Sequence, residues 1–202
     1  MIPANEALKR LREGNLRYLS DKSNRIDASG EERRKALVAG QSPYAIILGC
    51  SDSRVPVETI FDEGLGELFA IRVAGNVAGP IQVGSIEYAV DVLDTQLIVV
   101  LGHTGCGAVQ ATLDEMKQPS DNLTPGIQSI VSEISRALSA SGDSRAGIEA
   151  YQDIDDAVRV NAAHSAMQIT RQSELIEQRL KKGTLQIVHA MYSLKSGEVT
   201  FF

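Results

Sequence analysis

The sequence predicts an α/β fold with a mostly parallel central sheet of about four strands, a C-terminal antiparallel edge strand and flanking helices. Short apolar runs alternate along the chain with longer amphipathic segments, which is typical of strands joined by right-handed helical crossovers. The runs are continuous rather than alternating, so we expect both faces of the sheet to be covered. The last run follows a Ser196–Gly197 turn, which favours a hairpin. Because the 202 residues contain no linker-like stretch, we expect a single domain, 1–202.

Five short apolar segments have the length and composition of strands. The third of them, QLIVVLG, is the most apolar. The fifth follows the predicted turn and is expected to pair as the hairpin edge. The predicted strands are 44–49, 67–73, 96–102, 184–191 and 199–202.

The segments between these strands have helical patterns. The first carries leucines at helical spacing among charged residues, although Gly14 weakens it. Another begins at Pro80, because proline is favoured in the first turn of a helix. The predicted helices are 4–20, 29–39, 80–93, 106–116, 124–140 and 152–181, with loops at 117–125 and 141–147.

Charge and composition exclude two classes of partner. The chain has 20 Lys and Arg against 26 Asp and Glu, a net charge of −6, which argues against a protein that follows nucleic-acid phosphates. No stretch approaches the roughly 20 apolar residues that span a bilayer, and the N-terminus lacks the apolar core of a signal peptide. We therefore expect a cytoplasmic protein with no nucleic-acid or membrane partner. A chain that had lost a leader peptide would look the same.

Two cysteines and a histidine are placed where predicted strands end. Cys50 directly follows the first strand and His103 directly follows the third. In open parallel sheets, ligands bind beyond the carboxyl ends of the strands. Cys106 comes three residues after His103, at a predicted helix N-terminus that favours the thiolate form. Two thiolates and one imidazole suit tetrahedral zinc, and three protein ligands leave a fourth position open for catalysis.

Asp52 and Arg54 follow Cys50 at intervals of two residues. In an extended stretch these three side chains would face the same way. Asp52 then either ligates the metal and closes the site, or pairs with a bidentate Arg54 and leaves the site open. Two cysteines and a histidine taken alone are more often core residues than ligands. The Cys-x-Asp-x-Arg run at a strand end favours the metal site.

Several motifs over almost the whole chain resemble those of the β-class carbonic anhydrases. The two that contain the candidate ligands are the most specific. The motifs are CSDSRVP at 50–56, GHTGCG at 102–107, GQSP at 40–43, GELF at 66–69, RVAGN at 72–76, SIEYA at 85–89 and YSLKSGEVTFF at 192–202.

The resemblance implies a carbonate dehydratase, which hydrates carbon dioxide reversibly to bicarbonate and a proton. It implies one zinc ion per subunit, held by Cys50, His103 and Cys106. Asp52 and Arg54 match the Asp–Arg dyad of the family, whose aspartate binds zinc at low pH in some members. The sequence does not decide between the zinc-bound and the arginine-paired aspartate.

The resemblance also implies a substrate pocket formed by Gln41, Phe69, Tyr88 and the backbone N–H of Gly107. In the family this pocket lies at a dimer interface, and N-terminal helices pack on the neighbouring subunit. A homo-oligomer, either a dimer or a dimer of dimers, is therefore implied. The alternatives are core aromatics for Phe69 and Tyr88, a loop residue for Gln41 and a simple helix start for Gly107.

Two other functions remain open at this point. Enzymes on the same fold with the same three zinc ligands hydrolyse carbon disulfide or carbonyl sulfide. A zinc-stabilised protein without catalysis is a further possibility, although the intact Asp52–Arg54 pair favours retained chemistry. No residue stands out as a proton shuttle; His189 is either a proton relay or a packed strand side chain.

Overall fold

A computed structural model describes residues 2–20, 22, 30–120, 122–141, 151 and 153–202, and in these ranges the chain forms a five-stranded sheet. The strands are β1 (Ala45–Gly49), β2 (Leu68–Arg72), β3 (Leu97–His103), β4 (Gln186–Tyr192) and β5 (Val199–Phe201). Their order is β2-β1-β3-β4-β5, with β5 antiparallel to β4 and the other pairs parallel. This confirms the predicted sheet, including its antiparallel edge.

Eight helices in the described residues surround the sheet. They are α1 (Ala4–Leu19), α2 (Glu31–Ala36), α3 (Val57–Ile60), α4 (Pro80–Asp91), α5 (Gly107–Lys117), α6 (Pro125–Ser141), α7 (Ile154–Gln172) and α8 (Glu174–Lys181). The short α3 was not predicted, and α7 and α8 replace one predicted helix. Short 3-10 helices lie after α2, at Leu37–Ala39, and after β2, at Ala74–Asn76. None of the described helices is long and apolar enough to cross a membrane. The predicted start of the second helix at residue 29, and all but the first residue of the predicted loop 141–147, lie outside the described residues.

The single helix predicted for 152–181 is wrong, because Ser173 divides it into α7 and α8. Ser173 has an extended backbone, with φ −135° and ψ 109°. Its hydroxyl accepts a hydrogen bond from the N–H of Ile176 at 3.2 Å and donates one to Glu87 Oε1 at 2.5 Å. The N-cap and the contact with α4 together make the break favourable, although the sequence on both sides is amphipathic.

Two apolar layers cover the two faces of the sheet. All residues of β1 and β3 are buried, whereas the edge strand β2 is buried at Leu68 and then alternates between partial burial and exposure. One layer joins β1 and β3 to α1 and α3, and the other joins them to α4, α7 and α8. A third apolar cluster, formed with α5, α6 and α7, surrounds the carboxyl ends of the strands and includes both cysteines. The central strands therefore end inside packed protein.

Only part of the apolar face of helix α1 packs against the rest of its own chain. Leu11 is fully buried, while Leu16 is 64% exposed and Leu19 is 40% exposed. A Cβ on Gly14 would lie 1.9 Å from the carbonyl oxygen of Phe61, so glycine is required for the close contact between α1 and the end of α3. Gly14 therefore lowers the helix propensity of α1 but permits its packing against the end of α3. Whether the exposed leucines cover a neighbouring subunit stays a prediction.

Substituting Gly14 with alanine is expected to destabilise the protein despite the gain in helix propensity. The backbone of α1 would have to move away from Phe61, and overpacking of this kind costs roughly 1–3 kcal/mol. Gly126 in the first turn of α6 is the matched control, because it has open space around its Cβ position. Gly126→Ala should be neutral or stabilise by up to about 1 kcal/mol. Urea unfolding of both variants measures the difference, and equal effects would contradict the role of Gly14.

Candidate metal centre

The carboxyl ends of two adjacent strands bring Cys50, His103 and Cys106 together. Cys50 follows β1, His103 is the last residue of β3, and Cys106 is the N-cap of α5. All three are buried, and their ligand atoms lie within 4.8 Å of one another. The structure thus assembles the three side chains that the sequence singled out.

The geometry of these three donors fits a tetrahedral zinc ion. The two sulfur atoms are 4.0 Å apart, close to the roughly 3.8 Å that two zinc–sulfur bonds of about 2.3 Å would give. Nδ1 of His103 lies 3.0 Å from the carbonyl oxygen of Thr104. A carbonyl can only accept, so the ring proton is on Nδ1 and a neutral imidazole keeps a lone pair on Nε2.

Nε2 of His103 is also a buried atom without a hydrogen-bond partner. In the described part of the chain, the same holds for the side-chain amide of Asn76, which has a left-handed backbone. An orphaned imidazole nitrogen is costly unless a ligand satisfies it. A metal ion on Nε2 would do so, and this supports the fit of the donor set to zinc.

The two buried thiols shift each other's pKa in opposite directions. The contact with Cys106 lowers the pKa of Cys50 most, and the His103 ring and the N–H of Gly75 at 3.4 Å lower it further, although burial acts in the opposite direction. The same contact and burial raise the pKa of Cys106. The N–H groups of Ala108 and Val109 at the start of α5 act in the opposite direction but are weaker. The helix N-terminus therefore contributes as predicted, although it does not dominate.

Zinc affinity is expected to increase with pH. A bound metal needs both thiolates, so the proton retained by Cys106 must leave on binding. Because the pKa of Cys106 is raised, this proton is present over the whole neutral range and competes with the metal. The apparent affinity should rise by about one log unit per pH unit. Competition titrations with a chelator at several pH values measure the slope, and a pH-independent affinity would contradict a proton retained by Cys106.

Asp52 is paired with Arg54 in this structure. Oδ1 of Asp52 accepts hydrogen bonds from the backbone N–H and from Nε of Arg54, both at 2.9 Å, and Oδ2 accepts one from Nη2 at 2.7 Å. These bonds hold the pKa of Asp52 well below its usual range. Oδ2 also lies 3.9 Å from Nε2 of His103, so the carboxylate is beside the metal position.

The predicted extended stretch through Cys50, Asp52 and Arg54 is wrong. The backbone makes a turn in which the N–H of Val55 donates to the carbonyl of Asp52 at 3.0 Å. The aspartate and arginine meet through this turn and not through strand alternation. The two side chains nevertheless reach the site together, as expected.

Arg72, included in the sequence analysis only within the RVAGN motif, is an additional residue of the site. Its Nε donates to the carbonyl of Cys50 at 2.9 Å, and its Nη2 donates to the carbonyl of Asp52 at 2.6 Å. Arg72 is the last residue of β2 and pairs with Gly49, directly before Cys50. Strand register could have found it, because a long donor side chain beside the end of β1 can reach the loop that follows.

Three of the four predicted pocket residues, Gln41, Phe69 and Tyr88, do not gather around the metal ligands of the same chain. Gln41 is exposed before the amino end of β1, whereas Cys50 follows its carboxyl end. Phe69 pairs with Ile46 in the amino half of β1, and its ring lies 6.2 Å from that of Tyr88. Their role in substrate binding stays a prediction that needs a second copy of the chain.

Gly107 lies at the metal centre, whereas His189 lies within the sheet on β4. Gly107 is the first residue of α5, directly after Cys106, so its backbone N–H belongs to the helix end at the metal centre. His189 pairs with Val100 inside the sheet and stacks on Phe202 with ring centroids 5.3 Å apart. Burial lowers the pKa of His189. The packing fits a structural side chain, and the proton relay stays untested.

Comparison with known proteins identifies one family. The carbonic anhydrase family model matches residues 45–199. The chain is 40% identical over 196 residues to a carbonic anhydrase of Mycolicibacterium smegmatis, covering 96% of this chain and 90% of that protein. It is 39% identical to carbonic anhydrase 2 of Mycobacterium tuberculosis, covering 95% and 89%. Among solved structures, the β-carbonic anhydrase CcaA superposes with a TM-score of 0.72 at 27% identity, covering 98% of this chain and 85% of that chain.

Proposed function

The chain belongs to the carbonic anhydrase family, and from this premise we propose that it is a zinc-dependent carbonate dehydratase. It would convert carbon dioxide and water reversibly to bicarbonate and a proton. The observation that carries the proposal is the buried triad of Cys50, His103 and Cys106, in which Nε2 of His103 is buried without a hydrogen-bond partner. Three ligands with an open fourth position are the pattern of catalytic zinc.

Cys50, His103 and Cys106 would hold one zinc ion per subunit. When bound, zinc acts as a Lewis acid that lowers the pKa of a water from about 16 to about 7, the activation that hydration of carbon dioxide needs. The hydrogen bond from His103 Nδ1 to Thr104 keeps Nε2 available and fixes the ring orientation. Burial of the triad keeps bulk water away from the thiolates.

Asp52 and Arg54 would keep the fourth position open. Both oxygens of Asp52 accept hydrogen bonds from Arg54, and this pairing would keep the carboxylate from ligating the metal. The ionised carboxylate retains free lone pairs beside Nε2 of His103, so it can accept a hydrogen bond from a water there. Arg72 fixes the backbone on either side of Ser51 and thereby limits movement of Asp52.

The product would be bound by backbone donors at the start of α5. The N–H of Gly107 is one of the groups that lack an intrahelical partner at a helix N-terminus, and such groups favour anions. Bicarbonate is an anion and carbon dioxide is not. Gly107 would therefore interact more strongly with the product side of the reaction.

A second copy of the chain would complete the substrate pocket. On α4, Ile81 and Tyr88 are 81% and 48% exposed, and the C-cap residue Val92 is 62% exposed; the spacing of the three places them on one face of the helix. Large apolar side chains grouped on a surface are typical of an interaction site. The contact of Tyr88 with Phe69 links this face to the predicted pocket residues and supports a homo-oligomer, dimer or dimer of dimers, in which Gln41, Phe69 and Tyr88 face a partner's metal centre. A cytoplasmic location remains part of this proposal.

Stopped-flow hydration of carbon dioxide by zinc-loaded protein tests the function. We expect turnover that disappears when a chelator removes the zinc and returns when zinc is restored. Release of hydrogen sulfide from carbon disulfide and carbonyl sulfide is measured on the same sample. Negligible hydration with sulfide release would replace this function by that of a hydrolase. Stoichiometric zinc without turnover of any of these substrates would indicate a non-catalytic protein.

A further inference from the structure

Helix α7 lies close against the end of β3. A Cβ placed on Gly102 would come within 2.8 Å of Val158 Cγ1, so glycine permits this approach directly before His103. Asp155 and Asn161 lie three residues before and after Val158, so each is a neighbour of Val158 on the surface of α7. Helix α7 therefore packs directly against the end of β3, which carries the metal ligand His103.

Asn161 holds the turn that contacts Cys50. It is 1% exposed, and its Nδ2 donates to the carbonyl of Gly75 at 2.7 Å. Gly75 has φ +71°, and a Cβ there would lie 2.7 Å from Ile134 Cδ1. The N–H of the same glycine donates to Cys50 Sγ at 3.4 Å. Asn161 therefore fixes the residue that supplies a hydrogen bond to a ligand sulfur.

Asp155 holds the turn between the other two ligands. Its Oδ1 accepts a hydrogen bond from the N–H of Gly105 at 3.0 Å, and Gly105 has φ +61° between His103 and Cys106. An acidic residue in the first turn of a helix is commonly favourable for the helix itself. Here Asp153 already caps α7 by accepting the N–H of Asp155 at 3.0 Å. The carboxylate of Asp155 instead reaches outside its helix, to the backbone next to Cys106.

On the basis of the zinc-dependent function above, we propose that Asn161 and Asp155 are positioning residues for the metal centre. One rigid helix holds both the turn that contacts Cys50 and the turn that precedes Cys106. It thereby sets the distance between the two sulfur ligands. Hydrogen-bonding partners outside the ligand set commonly orient the ligands and tune affinity for the metal.

Zinc affinity of the full-length protein tests this role. In competition with a chromophoric chelator, Asn161→Ala and Asp155→Ala should each bind zinc roughly 10–100-fold more weakly than the parent. Asp155→Asn should retain parental affinity, because its amide oxygen can accept the same N–H bond. Ser165→Ala is the matched control, since Ser165 is buried one turn further along α7. It should leave the affinity unchanged.

A second measurement separates positioning from a general loss of stability. A purely structural residue would lower the unfolding temperature equally with and without zinc. A positioning residue reduces the increase that zinc confers, because the gain depends on affinity. The absorption spectrum of the cobalt-substituted variants should also shift, since it reports ligand geometry.

Parental zinc affinity in both alanine variants would overturn the proposal, and so would equal losses of unfolding temperature with and without zinc. An Asp155→Asn variant as weak as Asp155→Ala would overturn the role of the Asp155 hydrogen bond. The parent is assayed for zinc binding and for hydration of carbon dioxide in parallel. A parent that binds zinc but hydrates no carbon dioxide would contradict the proposed function alone.

Discussion

Substituting Cys106 with serine is expected to abolish stoichiometric zinc binding and reduce carbon dioxide hydration roughly a thousandfold or more, about 4 kcal/mol of activation free energy. The side chain is fully buried and serine has nearly the same shape, so the fold should persist. A serine hydroxyl does not ionise near neutral pH and is a poor partner for zinc compared with a thiolate. Metal analysis and stopped-flow hydration measure the two losses.

Unfolding with and without zinc provides the control for Cys106→Ser. Without zinc, the variant and the parent should unfold at similar denaturant concentrations, because serine replaces the thiol within the same buried space. With zinc at a hundred times the parent's dissociation constant, only the parent should gain stability, about 2.7 kcal/mol. A variant that keeps one zinc per chain and parental turnover would remove Cys106 from the ligand set.

The ligands could be predicted because they follow from local sequence and one topological rule. Cys50 and His103 each end a continuous apolar run, and adjacent parallel strands bring their carboxyl ends together. Both strands lie in the observed sheet within one residue of their predicted bounds. The short helix α3 was missed because four residues, Val57–Ile60, are too few to show a period.

The support of the site could not be predicted because it depends on contacts between distant segments. Asn161 reaches Gly75 and Asp155 reaches Gly105 across 86 and 50 positions of the sequence. No local pattern distinguishes either residue from an ordinary polar residue of a helix. The break at Ser173 has the same origin, since the contact with Glu87 favours it. Packing decided these features, and residue propensity did not.

Substituting Arg54 with alanine is expected to lower kcat/KM for hydration roughly 10–100-fold near neutral pH. Arg54 makes both side-chain bonds that hold Asp52, and the carboxylate already lies 3.9 Å from Nε2 of His103. Without the guanidinium, the carboxylate remains ionised at neutral pH and is free to occupy the fourth zinc position. Steady-state stopped-flow assays over a range of pH measure the effect.

Arg136→Ala is the matched control for Arg54→Ala. Arg136 also forms a short-range ion pair, 2.5 Å to Glu133, and its side chain is 62% exposed, close to the 58% of Arg54. It lies on α6, away from the metal ligands, so its loss should leave hydration unchanged. A similar fall in both variants would indicate a general effect of charge.

The double variant Asp52→Asn/Arg54→Ala decides whether the carboxylate is what blocks the site. An amide is a weaker zinc ligand than a carboxylate, so the double variant should be more active than Arg54→Ala alone. The direction in which the activity of Arg54→Ala changes with pH also follows. Loss of the Arg54 hydrogen bonds lets the pKa of Asp52 rise towards its ordinary value, about 3.9, which is well below the pH range of the assay. Protonation of Asp52 therefore cannot relieve the block near neutral pH. Only a rise in pH can relieve the block, because water that has lost its proton competes better than neutral water with the carboxylate for the fourth zinc position. Full activity of Arg54→Ala at every pH, or a double variant no more active than Arg54→Ala, would contradict the role of Arg54 in keeping Asp52 away from the fourth zinc position.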